Sequence, residues 1–348
     1  MVRRQGRTRL ERSRYSRAYL KQLQLGWEEF DIWANVSIGS ARDIATYSLI
    51  QIDAIVAQFV QHGYDSGIPF GRIKHAILSL QHKWPRLRKH LNRSWTSLQS
   101  WKMELRTQHR RPVPLEVLRL MFSFCWEAAL LVPSIGKILL EFAVCTRLCF
   151  CSMMRPGEML RLRFKDVRIC NDDTAVCAIH NAKNKWFLSQ NQFALARDRS
   201  MIRYLHWLQS SQSSEAKLWP HSAHYFCQLF QIILHALGLE HLELRPSGLR
   251  AGGVTDAFIK GTSVSRLKFR GRWTCERSLN SYIQEAMCCL IQVDIKSSDW
   301  SRLLPLFTQN HCCWIEPPVV SWMELFGPPK PVSLRKLRSA VEHLDSWR

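Results

Sequence analysis

Residues 244–261 of the chain read LRPSGLRAGGVTDAFIKG, and residues 269–286 read FRGRWTCERSLNSYIQEA. Arg250 lies in the first stretch, Trp273 stands 23 positions after it, and Tyr282 stands nine positions after Trp273. The adjacent glycines of the first stretch lack the lysine and hydroxyl residues that end a phosphate-binding loop, so we interpret them as a place of close helix packing. The apolar spacing of this region predicts helices over about 246–260, 263–270 and 274–287.

Two stretches further upstream carry basic residues beside turns. In MMRPGEMLRLRFKDV, which starts at Met153, Arg155 precedes a proline that suits the first turn of a helix. Thr174–His180 alternates in polarity and predicts a β-strand, followed by a turn at Asn181–Lys185 and a returning strand at Trp186–Leu188. The lysines of IHNAKNKW therefore lie in a predicted hairpin.

These four stretches, in this order, resemble those of the tyrosine recombinase superfamily, also called the phage-integrase family. The resemblance covers residues 115–290 well, and the helical pattern of 25–107 resembles the core-binding domain of the family more weakly. It implies a mainly α fold with two domains, a helical core-binding domain and an α+β catalytic domain with a small antiparallel β-sheet. This is the fold of the DNA breaking-rejoining enzymes.

The resemblance also implies roles for residues in the first two stretches. Arg155 looks like the first catalytic arginine of the family, and Glu158 like the acidic residue that supports it. Lys183 falls in the hairpin that carries the catalytic lysine, and Lys185 competes with it for that role.

The last two stretches complete the set that the resemblance implies. Arg250 matches the second arginine, Trp273 stands where members have His or Trp, and Tyr282 matches the nucleophile. The chain departs from the pattern at Ser247, where members usually have His, and this departure favours the alternative of a protein whose catalysis is impaired.

The chemistry of DNA cleavage explains why these residue types are needed. Two guanidiniums hold the nonbridging oxygens of a phosphodiester bidentately and stabilise its phosphorane-like transition state without a metal. A phenol has a reference pKa of ~10 and needs neighbouring cations before its oxygen attacks phosphorus. The departing 5′-oxygen needs a proton, which Lys183 is expected to supply, and a general acid contributes about 10²–10⁴-fold.

Each of these residues also has a purely structural interpretation. Arg155 suits an exposed helix start, and Glu158 would favour the dipole of the same helix. Lys183 suits a turn, Trp273 a hydrophobic core, and Tyr282 a half-buried aromatic position beside apolar neighbours.

The composition indicates a folded, polyanion-binding protein. Its 348 residues include 49 Lys+Arg against 28 Asp+Glu, which gives a formal net charge of +21, and 46% of them are hydrophobic. No apolar run is long enough to span a membrane, and the basic N-terminus lacks the apolar core of a secretory signal. We therefore expect a soluble intracellular protein, with its 12 scattered cysteines reduced.

The chain is predicted to have four parts. They are a basic flexible arm (1–24), a helical core-binding domain (25–110), a catalytic domain (111–300) and a proline-containing tail (301–348), with a linker at 108–114. A helix is predicted with an apolar stripe that runs from Leu87 to Leu105. The basic residues predicted to contact DNA are Arg86, Lys89, Arg93, Lys102, Arg110 and Arg111.

The predicted function is site-specific recombination or integration of double-stranded DNA through a 3′-phosphotyrosyl intermediate. The alternative is a recombinase-derived DNA-binding protein whose catalysis is impaired. The resemblance implies a homotetramer on two synapsed DNA sites, and the basic arm indicates a nuclear location in a eukaryotic cell, or otherwise the cytoplasm or nucleoid. No cofactor, metal or membrane partner is expected. The cysteines at 288–289 and 312–313, with His311, lack zinc-finger spacing.

Overall fold

The structure, a computed structural model, describes residues 15–41, 43–105, 111–180, 182, 192–210, 212–295, 299, 301, 303, 305, 335 and 338–340. The chain divides into two compact units, Met1–Gln108 and His109–Arg348. This division falls beside the linker predicted at 108–114. Among the described residues, no helix has the length and apolar character needed to cross a membrane.

The first unit is helical. Its elements are α1 (Arg17–Ser37), a 3₁₀ turn (Asp43–Thr46), α2 (Leu49–Asp65), α3 (Phe70–Lys83), a second 3₁₀ turn (Pro85–Leu87) and α4 (Asn92–Glu104). Aromatic rings hold the core together, and Phe30 of α1 meets Phe59 of α2 edge-to-face with ring centroids 5.1 Å apart.

Two local predictions for this unit are wrong. Helix α1 begins at Arg17, inside the predicted arm, because the Ser16 side chain accepts a hydrogen bond from the Tyr19 amide and caps it. The helix predicted to begin near Leu87 begins at Asn92, after Lys89 has adopted the left-handed region at φ 70°. Asp53 of α2 fixes this start by accepting hydrogen bonds from the first amides of α4, at 2.8 and 2.9 Å.

The second unit surrounds a small sheet with helices. Its helices are α5 (Leu115–Leu131), α6 (Pro133–Cys151), α7 (Pro156–Met159), α8 (Arg199–Gln209), α9 (Ala223–Ala236), α10 (Gly248–Ile259), α11 (Val264–Gly271), α12 (Glu276–Asn280) and α13 (Glu285–Asp294), with 3₁₀ turns at Phe164–Asp166 and Glu240–Leu242. Its strands are β1 (Val167–Asn171), β2 (Thr174–Ile179) and β3 (Gln192–Arg197).

The sheet is antiparallel, with the order β1-β2-β3. A small antiparallel sheet was predicted, and β2 lies where the alternating pattern indicates it. The prediction missed β1 and placed the returning strand at Trp186–Leu188, which lies outside the described residues. The strand that returns against β2 is β3, whose alternate residues Ala194 and Ala196 are buried in the core.

The adjacent glycines of α10 bring its first turns against two other segments. A Cβ at Gly252 would lie 1.9 Å from the Val113 carbonyl oxygen, and one at Gly253 would lie 2.1 Å from that of Phe150, so neither position accepts a side chain. The packing interpretation of the glycines is therefore confirmed. Arg250, two residues before this contact, is held close to the end of α6 and the loop that follows it.

The helix predicted over 274–287 is interrupted. Between α12 and α13 the chain turns at Ser281–Gln284, and the Thr255 hydroxyl holds this turn from α10. That hydroxyl donates to the Tyr282 carbonyl oxygen at 3.2 Å and accepts from the Gln284 amide at 3.1 Å. Tyr282 therefore lies in a braced loop and not on a helix face.

Candidate active site

One cleft in the second unit brings together most of the predicted catalytic residues. It has a volume of about 980 Å³. Its lining includes the predicted residues Arg155, Glu158, Ser247, Arg250 and Tyr282, together with Arg161, His224, Cys227, Gln228, Gln231, Arg245 and Arg338. Residues separated by more than 120 positions in sequence thus share one surface.

Arg155 and Glu158 form the ion pair expected from their spacing. The Arg155 guanidinium donates to Glu158 Oε1 at 2.8 Å, and the Arg155 amide donates to Oε2 at 3.1 Å. The Glu158 side chain is 2% exposed, whereas that of Arg155 is 29% exposed and faces the cleft. Glu158 therefore holds Arg155 from the buried side, and Arg155 is the member of the pair that is accessible to a ligand in the cleft.

Arg272 is a second partner of Glu158 that sequence reasoning missed. Its Nη2 donates to Glu158 Oε2 at 2.7 Å, and both side chains are almost fully buried. The Arg272 backbone lies in the left-handed region, at φ 59° and ψ 44°, which glycine usually occupies. In the sequence, the one signal that could have identified Arg272 is its position directly before the candidate catalytic residue Trp273.

The two arginines determine the charge state of Glu158. Burial alone would raise the pKa of this carboxyl, but Arg272 and the hydrogen bonds from Arg155 outweigh burial and hold the pKa below its usual value. Glu158 is therefore ionised at neutral pH and neutralises part of the positive charge around it.

Arg250 is 1% exposed and is oriented by its surroundings. Its Nη2 donates to the Gly271 carbonyl oxygen at 2.6 Å, and its guanidinium lies over the Trp273 ring, 4.1 Å from the centroid. Burial, followed by the charges of Arg155 and Arg272, lowers the pKa of Arg250. Its Nε and Nη1 atoms have no hydrogen-bond partner among the described residues, so the group is prepared to hold an oxyanion.

Tyr282 is half-buried beside this guanidinium. Its ring meets that of Trp273 edge-to-face, with centroids 5.2 Å apart, and the Arg250 guanidinium lies 5.6 Å from its centroid. Trp273 is 7% exposed and belongs to a small core with Met153 and Leu279. Trp273 therefore packs in a hydrophobic core, as its structural interpretation expects. The same ring also contacts both Arg250 and Tyr282 and places them side by side.

Ser247 lines the cleft at the start of α10, and its side chain makes no capping hydrogen bond to that helix. It stands three residues before Arg250, where the resemblance expects an imidazole. His224, on α9, lines the same cleft and was not identified from the sequence. Lys183 and Lys185, the candidates for the general acid, lie outside the described residues.

The predicted DNA contacts divide between the units. Four of these side chains are exposed on the first unit: Arg86, Lys89, Arg93 and Lys102. Arg111 belongs to the second unit and is half-buried, with its guanidinium donating to the Leu242 carbonyl oxygen at 3.3 Å. Arg110 lies outside the described residues. Arg111 therefore has a structural contact that the prediction did not include.

The cysteine region considered for a metal is only partly described. Cys288 is buried on α13, where burial raises the pKa of its thiol to about 12. Its neighbour Cys289 is exposed. His311, Cys312 and Cys313 lie outside the described residues.

The chain resembles known proteins in its fold and not in its sequence. No protein-family model matches the chain. No curated protein matches it in sequence. Its fold is similar to that of XerH site-specific recombinase bound to a palindromic difH substrate in a post-cleavage complex, with a TM-score of 0.56, 12% sequence identity and coverage of 79% of each chain. This similarity confirms the predicted mainly helical fold with a small antiparallel sheet.

Two further structures show weaker similarity. XerH bound to difH in a pre-cleavage complex gives a TM-score of 0.45 at 14% identity, covering 67% of this chain and 66% of that one. A structure of XerA recombinase gives a TM-score of 0.37 at 13% identity, covering 86% of this chain and 94% of that one.

We predict that Glu158→Gln lowers the free energy of unfolding by about 3–5 kcal/mol at neutral pH, because it leaves buried guanidiniums without their counter-charge. The folded pKa of Glu158 lies below the ordinary value of 4.5 for a glutamate, so the stabilisation by its ionised form is present above that pH and is lost as the pH falls through the folded pKa. Urea unfolding at a series of pH values should show the difference between wild type and variant narrowing below about pH 4.5.

Glu215→Gln is the matched control. Its carboxylate is 60% exposed and pairs with Lys165 at 2.8 Å, so its loss should cost no more than ~1 kcal/mol. Equal effects of the two substitutions would contradict the assigned role of Glu158.

Proposed function

We propose that this chain, which has the fold of the tyrosine site-specific recombinases, cuts and rejoins double-stranded DNA through a covalent bond to Tyr282. The observation that carries the proposal is the convergence of Arg155, Arg250 and Tyr282 on one cleft. Two guanidiniums and one phenol are the groups that metal-independent phosphodiester transfer requires.

In the proposed reaction, Arg155 and Arg250 hold the nonbridging oxygens of the scissile phosphate. Tyr282 Oη releases its proton to water and attacks phosphorus, the bond from phosphorus to the 5′-oxygen breaks, and a 3′-phosphotyrosyl ester forms. The 5′-oxygen leaves with a proton as a hydroxyl. Attack by a 5′-hydroxyl on the ester reverses each step and rejoins the strand, because the phosphotyrosyl bond conserves the energy of the original diester.

The proton supply is where the chain differs from the family pattern. Lys183 is the proposed general acid, with Lys185 as its competitor. Ser247 stands in the place of an imidazole and would contribute a hydroxyl hydrogen bond to a phosphate oxygen instead of a charge. Trp273 would donate its indole N–H to the phosphate, in addition to packing against Arg250.

Binding to DNA is supported by the net charge of +21 and by the exposed basic residues of the first unit. If the chain recombines DNA as the recombinases do, four copies of it would act on two DNA sites. In a eukaryotic cell, the proposed target is nuclear DNA. A second candidate function, DNA binding with impaired catalysis, is favoured by Ser247 alone.

A covalent trapping experiment tests the proposed function. Duplexes that the protein binds are selected from a random-sequence pool and are converted to nicked substrates, from which the short fragment that carries the freed 5′-hydroxyl diffuses away after cleavage. We expect an SDS-stable protein–DNA adduct for wild type and its loss in Tyr282→Phe, because only the phenol oxygen forms the ester. Tyr225→Phe, at a half-buried tyrosine of the same unit outside the cleft lining, is the control and should keep the adduct.

An adduct that survives Tyr282→Phe would refute the assignment of the nucleophile. Firm binding without any adduct would favour the second candidate, and Ser247→His would then be expected to restore cleavage.

We also predict that Arg272→Gly slows formation of the adduct about 10- to 100-fold, the range for partners that orient a functional side chain. Glycine accepts the backbone at φ 59°, so the change removes the hydrogen bond to Glu158 without straining the loop. Millimolar guanidinium should restore cleavage in this variant, and equal concentrations of ammonium should not. Rescue by both ions or by neither would contradict a positioning role for Arg272.

A further inference from the structure

A second cavity in the same unit has a different lining and a strongly positive character. Its volume is about 460 Å³, and it lies among α5, the end of α6, the junction of β3 with α8, and helices α10 and α11. Its cationic residues are Arg119, Arg147, Arg197, Arg199, Lys260 and Arg270, and its acidic residues are Asp198 and Asp256. None of these eight residues lines the candidate active site.

Both carboxylates of the cavity are already engaged. Asp198 accepts hydrogen bonds from the buried Arg147 guanidinium at 3.1 and 3.2 Å, and from the Cys151 thiol at 3.2 Å. Asp256 accepts from Lys260 at 2.8 Å. Six cations against two carboxylates leave an excess of four positive charges.

The positive charges are placed closely enough to disfavour one another. Burial, followed by the charges of Arg197 and Arg266, lowers the pKa of Arg270. The only hydrogen bond recorded for its guanidinium among the described residues is a long one, 3.4 Å, from Nη2 to the Cys151 carbonyl oxygen. The buried Nε of Arg270 has no hydrogen-bond partner among the residues that the structure describes. An unsatisfied guanidinium nitrogen beside a second arginine is the arrangement that an anion would complete.

The walls of the cavity combine apolar side chains with arginines. Phe150, Met153 and Leu118 supply apolar walls, and these lower the local dielectric and strengthen interactions with charge. Arg197 and Arg199 are exposed at its rim, whereas Arg270 is half-buried. Arginine forks match the oxygens of phosphate, with two parallel hydrogen bonds from each guanidinium.

We propose that this cavity binds a phosphate group, separate from the one cleaved at Tyr282, with Arg270 and Arg197 as its principal ligands. The phosphate comes either from a small soluble phosphate compound or from the backbone of bound DNA. Both sources present the same chemistry to the arginines, and the two arms of the test separate them.

The first arm measures thermal unfolding with inorganic pyrophosphate, at ionic strength matched with sodium chloride and without DNA. A ligand that binds only the folded state raises the unfolding midpoint. Under the soluble-phosphate reading we expect this rise for wild type and for Arg155→Gln, which alters only the candidate active site. Arg197→Gln/Arg270→Gln should bind pyrophosphate about tenfold or more weakly and lose the rise. The single variant Arg197→Gln, at an exposed position, should show an intermediate loss even if the double variant folds poorly.

The second arm measures the affinity for duplex DNA as a function of salt. Each lost phosphate contact lowers the slope of log K against log salt by about 0.9. Arg17→Gln/Arg168→Gln removes two exposed charges that are not among the residues lining the cavity, and it serves as the control. A decrease in the slope for the cavity variant, beyond that of this control, assigns the site to the DNA backbone.

The outcomes are separable from those of the proposed function. Loss of the pyrophosphate effect in the cavity variants, or a specific decrease in the DNA slope, supports the site whether or not Tyr282 forms an adduct. Loss of the pyrophosphate effect in Arg155→Gln with its retention in the cavity variants, together with a DNA slope equal to that of the control, would place the anion in the active-site cleft and overturn the proposal. No pyrophosphate effect together with a slope equal to that of the control would overturn it as well.

Discussion

The candidate active site depends on one buried carboxylate among three guanidiniums. Glu158 holds Arg155 at 2.8 Å and Arg272 at 2.7 Å, and Arg250 lies close enough for both arginine charges to lower its pKa. Charges of one sign crowded in a buried site are costly unless counter-charge is present. The single carboxylate stabilises this cluster only in part. The buried Nε and Nη1 atoms of Arg250 have no hydrogen-bond partner among the described residues, and an anionic ligand would complete them.

The surrounding fold is arranged to bring these groups together from distant parts of the chain. Close packing at Gly252 and Gly253 places α10, and so Arg250, against the end of α6. Gly271 is similarly constrained, since a Cβ there would lie 1.5 Å from the Trp273 ring. The Thr255 hydroxyl then holds the loop of Tyr282 on the same helix that carries Arg250. One helix, α10, thus organises both the guanidinium and the phenol.

The features that could be predicted from the sequence are those that depend on local patterns or on the family resemblance. The Arg155–Glu158 pair has the short spacing of a helix start, and the glycines of α10 signal close packing. The reasoning failed where tertiary contacts decide the outcome. The break at Ser281–Gln284 depends on a hydroxyl from another helix, and α4 starts late because Asp53 caps it from α2. Arg272 was missed because its partner lies 114 positions away.

Under the proposed function, Arg155, Arg250 and Tyr282 act on a single phosphorus atom. The most direct measurement is a crystal structure of the protein with orthovanadate and the two DNA fragments that flank a cleavage site, in which vanadate takes the place of the pentacovalent phosphorus. We expect vanadium bonded to Tyr282 Oη, with its equatorial oxygens accepting hydrogen bonds from both guanidiniums. Vanadate bound away from Tyr282, or held by neither arginine, would contradict it.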